Sequence, residues 1–197
     1  MASILVVCTG NVCRSPIAEG LLRAAFASKL GAGSPTVSSA GTMGWSGSGA
    51  DPNSVEAAAE RGVDISDHRA RELTTRDIAS ATLVLGMAGE HRRAVVTQDP
   101  DAAPRTFTLK ELVRLLEALR PGSGGDLSSR VAEADALRAS GFAGDPGDED
   151  VPDPLGMPLD SFRAVAWELD EWCGRLVEGL LGRADTAVAT TAERDEP

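Results

Sequence analysis

The chain opens on an unbroken apolar run, Ile4-Leu5-Val6-Val7-Cys8. A strand that buries one face alternates, so a run apolar on both faces reads as a central strand of a parallel sheet. After a short polar loop, Ile17, Ala18, Leu21, Leu22, Ala25 and Phe26 recur at helical spacing, with Glu19 and Arg23 on the outer side. Ser15 is the expected N-cap, and Pro16 fits a first helical turn. A weak second strand covers 36–40, and a glycine- and serine-rich stretch with one large side chain, Trp45, leads to a helix over 53–61. Thr74 or Thr75 caps a short helix ending near Ala79. Residues 82–87 form the third strand, 90–97 a helix and 105–108 a short fourth strand. The helix over 109–119 is strongly periodic through Leu112, Leu115, Leu116 and Leu119. A further helix covers 127–139. The last, over 161–181, carries a stripe of Phe162, Val165, Leu169, Trp172, Leu176 and Leu180.

Strands alternating with helices indicate an α/β fold with right-handed crossovers. We expect a single doubly wound domain over 1–182, with a four-stranded parallel sheet flanked by helices on both faces. Residues 121–150 read as an insertion or long loop, and 183–197 as a disordered tail. Sites in such sheets lie beyond the carboxyl ends of the strands, which places Cys8 at the expected mouth.

Composition narrows the function. The 197 residues hold 19 Lys+Arg against 30 Asp+Glu, a net charge of −11. That balance repels phosphate backbones and anionic lipid, so neither nucleic acid nor membrane is an expected partner. The start shows no signal-peptide pattern, and the cysteines are odd in number, three. A disulfide framework is not expected, and the cytoplasm is the natural compartment. Two histidines and three scattered cysteines give no zinc spacing, so no metal or cofactor is expected.

The chemistry concentrates in Cys8-Thr9-Gly10-Asn11-Val12-Cys13-Arg14-Ser15-Pro16. A loop closing onto a helix N-terminus offers a ring of backbone N–H groups, a nest of phosphate size. Its field favours the thiolate, the form in which a cysteine attacks. Arg14 can grip two phosphate oxygens bidentately, as lysine could not. Ser15 can donate a hydrogen bond to the sulfur, and Gly10 permits a backbone path that other residues resist.

This segment resembles the signature of the low-molecular-weight protein-tyrosine phosphatases, C-x-G-N-x-C-R-S-P followed by a helix, with every fixed position matched. The resemblance continues through Ser39-Ala40-Gly41-Thr42, Trp45, 64–71 and Val151-Pro152-Asp153-Pro154, and 121–150 is longer than the family's usual connection. It implies a protein-tyrosine phosphatase working through a cysteinyl-phosphate. Cys8 is the nucleophile, an aspartic acid protonates the leaving phenolate, and the same group then activates water. Thr9, Gly10, Asn11, Val12, Cys13 and Ser15 complete the phosphate-binding loop with Arg14. Asn11, Ser39 and His68 support the loop from behind, and Trp45 walls the substrate slot. The implied partner is a phosphotyrosine-containing protein, with tyrosine kinases typical for bacterial relatives.

Four Asp-Pro pairs compete for the acid, at Asp51, Asp99, Asp145 and Asp153. Asp153, between two prolines and just before the final helix, matches the family's acid loop; Asp145 is the fallback. Leu155 stands where the family commonly has an aromatic residue. Val12 separates subgroups, because the similar protein-arginine phosphatases have threonine there, so valine favours phosphotyrosine.

Other residues read more plainly. Cys13 is either packing or a redox partner that forms a reversible disulfide with Cys8. Cys173 is core, His91 a solvated helix residue, and Trp167 and Trp172 are packing. The acidic run at 145–153 is a solvated loop apart from Asp153. Two other functions share these residues. A thioredoxin-coupled arsenate reductase needs relay cysteines after the third strand, and 80–100 contains none. A non-catalytic phosphate-binding module would keep the cradle without turnover.

Overall fold

The computed structural model describes residues 2–43, 45–119, 126–142 and 148–182. Four strands, β1 (Ser3–Cys8), β2 (Thr36–Gly41), β3 (Leu83–Gly86) and β4 (Thr106–Thr108), form one sheet in the order β2-β1-β3-β4. All three pairings are parallel, so each connection crosses over a face. The helices are α1 (Arg14–Leu30), α2 (Pro52–Ala59), α3 (Thr75–Ser80), α4 (Gly89–Gln98), α5 (Leu109–Ala118), α6 (Leu127–Ala139) and α7 (Leu159–Leu181).

The alternation of β1 residues between the faces divides the interior. Ile4 and Val6 join the larger core with α1, α2, α5 and α7, including Leu22, Phe26, Leu112, Phe162, Leu169 and Leu176. Leu5 and Val7 join a smaller core with Ala40, Ile78, Val84 and Val95, beneath α3 and α4. Both faces are covered, so β1 needs no polar side. Local caps set the helix starts. The Thr74 and Thr108 hydroxyls accept from the amides of Asp77 and Glu111, whose carboxylates reach back to the cap amides.

Several expectations are corrected. The α1 cap falls at Cys13 with no side-chain bond, so Ser15 lies inside the helix and its hydroxyl is free for another partner. Glu19 is buried rather than outward, because a helical step of four from Ser15 turns it under β2. Trp167 is exposed on α7, and the indole that packs is Trp172, with Arg175 stacked 4.1 Å from its ring centroid. The described part of the acidic loop is tied down. Asp148 pairs with the buried Lys110 at 2.7 Å, and Asp150 accepts from the Gly89 amide at 2.7 Å. Helix α6 packs against α5, α7 and the 3-10 turn over Pro100–Arg105. The expected tail over 183–197 lies outside the described residues. No helix among those described is long and apolar enough to cross a membrane.

Candidate active site

β1 ends at Cys8 and α1 begins at Arg14, so Thr9 to Cys13 must reverse direction in a few residues. The loop does this with its carbonyls turned outward. Cys8 O accepts from Thr42 N at 2.9 Å, Thr9 O from Met43 N at 3.0 Å and Gly10 O from Trp45 N at 3.2 Å. Val12 O accepts from Asp51 N at 2.9 Å and Cys13 O from Ile17 N at 3.3 Å. His68 Nε2 donates to Asn11 O at 2.8 Å, a direction fixed because a carbonyl can only accept. A peptide unit points its N–H away from its C=O, so amides along this arc face the hollow at the end of β1.

Asn11 holds the loop's shape. It sits at φ 59°, where a non-glycine residue needs support. Its side-chain amide donates to Ser15 Oγ at 2.9 Å and Ser39 Oγ at 2.8 Å, and its side-chain oxygen accepts from Arg71 N at 3.0 Å. Ser39 Oγ donates a hydrogen bond to the buried carboxylate of Glu19. Ser15 Oγ, receiving from Asn11, has its own proton left for Cys8 Sγ, 2.9 Å away. The Asn11 amide adds a second donor to the sulfur at 3.3 Å. Two donors therefore converge on one sulfur.

Arg14 is buried, and its side chain leaves the first turn of α1 toward the acid loop. Its guanidinium donates to Asp153 Oδ2 at 2.6 Å and to Val151 O at 3.2 Å, while Nε is buried without a partner among the described residues. The acid loop is held in turn by Val151 N on Met87 O at 2.8 Å. Trp45 is half exposed, and a Cβ added to Gly10 would lie 3.7 Å from its ring, so the indole borders the loop. Cys13 is buried, and that burial pushes its thiol up to about 12 despite a neighbouring Ser54 hydroxyl that acts the other way. A hollow of about 720 Å³ lies behind the loop beside Glu19, Ser39 and His68, and another of about 580 Å³ opens beside Arg14 and Asp153. Chemistry is assigned by the converging groups, of which Arg14 and Asp153 line the second hollow.

The structure therefore brings Cys8, Arg14, Asp153, Asn11, Ser15, Ser39, His68 and Trp45 to one end of the sheet. Asp145 lies outside the described residues. His91 is the main correction. It is 1% exposed rather than solvated, and its Nε2 lies 3.0 Å from Thr9 Oγ1. Its polar neighbours on a short amphipathic segment disguised a position that the sheet buries. Glu19 was also missed, although its spacing of four from Ser15 put both on one helix face.

A family model described as low molecular weight phosphotyrosine protein phosphatase matches residues 3–120. The chain belongs to this family. A probable low molecular weight protein-tyrosine-phosphatase, EpsP of Ralstonia solanacearum, is 44% identical over 112 residues, 56% of this chain and 72% of that protein. A protein-arginine-phosphatase of Geobacillus stearothermophilus is 33% identical over 177 residues, 90% and 95% of the two chains. The solved low molecular weight protein tyrosine phosphatase from T. tengcongensis is 37% identical and superposes with a TM-score of 0.67, covering 90% of this chain and 99% of its own. The low-molecular-weight phosphatase described here is thus an enzyme whose substrate class is phosphorylated protein.

Proposed function

We propose that this phosphatase hydrolyses phosphotyrosine through a phosphocysteine at Cys8. The observation that carries the reading is the loop of outward carbonyls closing on a sulfur that receives two hydrogen bonds. The inward amides and the Arg14 guanidinium take the nonbridging phosphoryl oxygens and stabilise their charge as the sulfur attacks in line. The S–P bond forms as the P–O bond to the phenol breaks, and Asp153, having taken a proton from solvent once the phosphoryl group replaces it on Arg14, delivers that proton to the departing oxygen. Asp153 then removes a proton from water, which attacks phosphorus and returns the Cys8 thiolate. Ser15 stabilises that thiolate as nucleophile and as leaving group.

Arg14 has a second role in this scheme. It holds Asp153 at 2.6 Å beside the hollow, so the acid stands next to the group that binds the phosphoryl oxygens. Its Nε, buried without a partner among the described residues, is a further donor for such an oxygen. Trp45 on one rim and Leu155 beside the acid give apolar walls for a flat ring, both exposed in the free enzyme. Val12 is buried in the loop and offers no hydroxyl, which supports phosphotyrosine.

Phosphoarginine is the second reading, favoured by the arginine-phosphatase relative that matches 90% of this chain. The kcat/KM for phosphotyrosine and phosphoarginine peptides separates the two, and Val12→Thr should move the ratio toward phosphoarginine. Vanadate-sensitive hydrolysis of an aryl phosphate, lost in Cys8→Ser, tests the chemistry itself. Retained phosphopeptide binding without turnover would favour a binding module, and thioredoxin-dependent arsenate reduction would favour the reductase. We place the enzyme in the cytoplasm, where a nucleophilic thiol stays reduced. A tyrosine kinase is the proposed partner, and capture from phosphorylated lysate on Asp153→Ala tests it.

A further inference from the structure

The loop that follows β1 has two neighbours, because β1 lies between β2 and β3. On the β2 side the loop is held by the backbone staples from Thr42, Met43, Trp45 and Asp51, by His68 on Asn11 O and by the Asn11 side chain. From the β3 side, among the described residues, comes the imidazole of His91. We propose that His91 is a positioning residue that braces the Cys8 end of the phosphate loop through the Thr9 side chain. This rests on the reading of Cys8 to Ser15 as the reactive loop.

His91 is 1% exposed and stands in the first turn of α4, with Nε2 3.0 Å from Thr9 Oγ1. Its Nδ1 is buried without a partner among the described residues. A buried unpaired lone pair costs less than a buried unpaired N–H, so the proton belongs on Nε2, which then donates to the threonine oxygen. Thr9 follows the nucleophile directly, and its carbonyl is already held by Met43 N at 3.0 Å. With both the Thr9 carbonyl and side chain anchored, on opposite sides, the peptide between Thr9 and Gly10 has little freedom to rotate its N–H out of the hollow.

A glycine makes the brace possible. Gly86 ends β3, paired with Val7, and a Cβ there would meet Arg92 N at 3.0 Å, Ala88 O at 3.1 Å and His91 Cβ at 3.2 Å. Its bare Cα lets the first turn of α4 close down on the sheet and brings the imidazole to Thr9. The charges facing His91 are Arg14 from α1, Asp150 and Asp153 from the acid loop and Glu90 from its own helix. Burial foremost, and Arg14 next, lower its affinity for protons to about 4, against the pull of the two aspartates. The brace is therefore neutral at working pH and adds no second cation beside Arg14.

The test measures aryl phosphate kinetics and competitive inhibition by vanadate for wild type, His91→Leu, His91→Gln, Thr9→Val and the double variant. One lost hydrogen bond predicts about a five- to tenfold fall in kcat/KM for His91→Leu, with vanadate weakened by a similar factor. His91→Gln, which can still donate to Thr9, should recover most of it. Thr9→Val should match His91→Leu, and the double variant should be no worse than either. Additive losses, or a lowered melting temperature with unchanged kinetics and vanadate affinity, overturn the proposal. If His91→Leu does not fold, Thr9→Val and His91→Gln decide it from the other side. A Cys8→Ser enzyme that still turns over would instead refute the reading of the loop, whatever the His91 variants do.

Discussion

Arg14 and Asp153, 139 positions apart in sequence, share a hydrogen-bonded ion pair of 2.6 Å at the carboxyl end of the sheet. The guanidinium is nearly fully buried, whereas the carboxylate is 45% exposed. The pair joins the proposed phosphate-gripping cation to the proposed proton donor. We propose that an arriving phosphoryl group displaces Asp153 from this guanidinium, and that the freed carboxylate takes up a proton from solvent and delivers it to the leaving oxygen.

Asp153→Asn should therefore slow substrates in proportion to the basicity of their leaving groups. Phenyl phosphate should lose about 100-fold or more in kcat, and an activated nitrophenyl ester much less. Equal losses on both, or the same pattern from Asp145→Ala with Asp153→Asn unaffected, would move the acid elsewhere.

The buried His91 makes stability depend on pH. Its folded-state value is about 4 and its ordinary value 6.5, so the unfolded chain binds the extra proton as pH falls through this window. Stability is undiminished above 6.5 and declines toward pH 4, by roughly 3 kcal/mol for the full shift. Urea midpoints measured from pH 7 to 4 should fall more steeply in wild type than in His91→Gln; parallel slopes would contradict the burial of a neutral imidazole.

Cys13 should be silent toward alkylation at neutral pH. Its thiol titrates near 12 and is buried, so it stays protonated where iodoacetamide finds Cys8. Mass mapping after brief treatment should place the label on Cys8, with phosphate or vanadate protecting it. The proposed Cys8–Cys13 disulfide would then form by condensation of a Cys8 sulfenic acid with the Cys13 thiol, releasing water, and a peroxide-treated enzyme lacking that crosslink in peptide maps would leave Cys13 with packing alone.

Gly86→Ala should act through α4. The added methyl meets backbone at 3.0 Å, so the helix must lift. A loss of about 1–3 kcal/mol in stability is expected, together with weaker vanadate binding, because His91 is carried away from Thr9. Unchanged vanadate affinity in a folded Gly86→Ala enzyme would separate helix placement from the loop.

The strands and helices were legible because their signals are local. The apolar run of β1, the Leu112-Leu115-Leu116 spacing of α5 and the Thr74 cap each depend on a few adjacent residues. The phosphate loop was legible for the same reason, since its amides, Cys8 and Arg14 come from one short segment. Asp153 needed the family pattern to be chosen among the Asp-Pro pairs, because nothing local distinguishes a carboxylate that folding carries to Arg14.

Glu19, His91 and Asp150 were misread because exposure is not a local property. Glu19 looks like a surface residue until β2 lays Ser39 against it, and His91 looks solvated until Gly86 lets α4 settle over the end of β1. Adjacent residues fix backbone geometry and the reactive groups of a contiguous loop. Which polar side chains are enclosed, and what they hold in place, follows from strand order, because burial and hydrogen bonding are set by neighbours that the chain brings from far away.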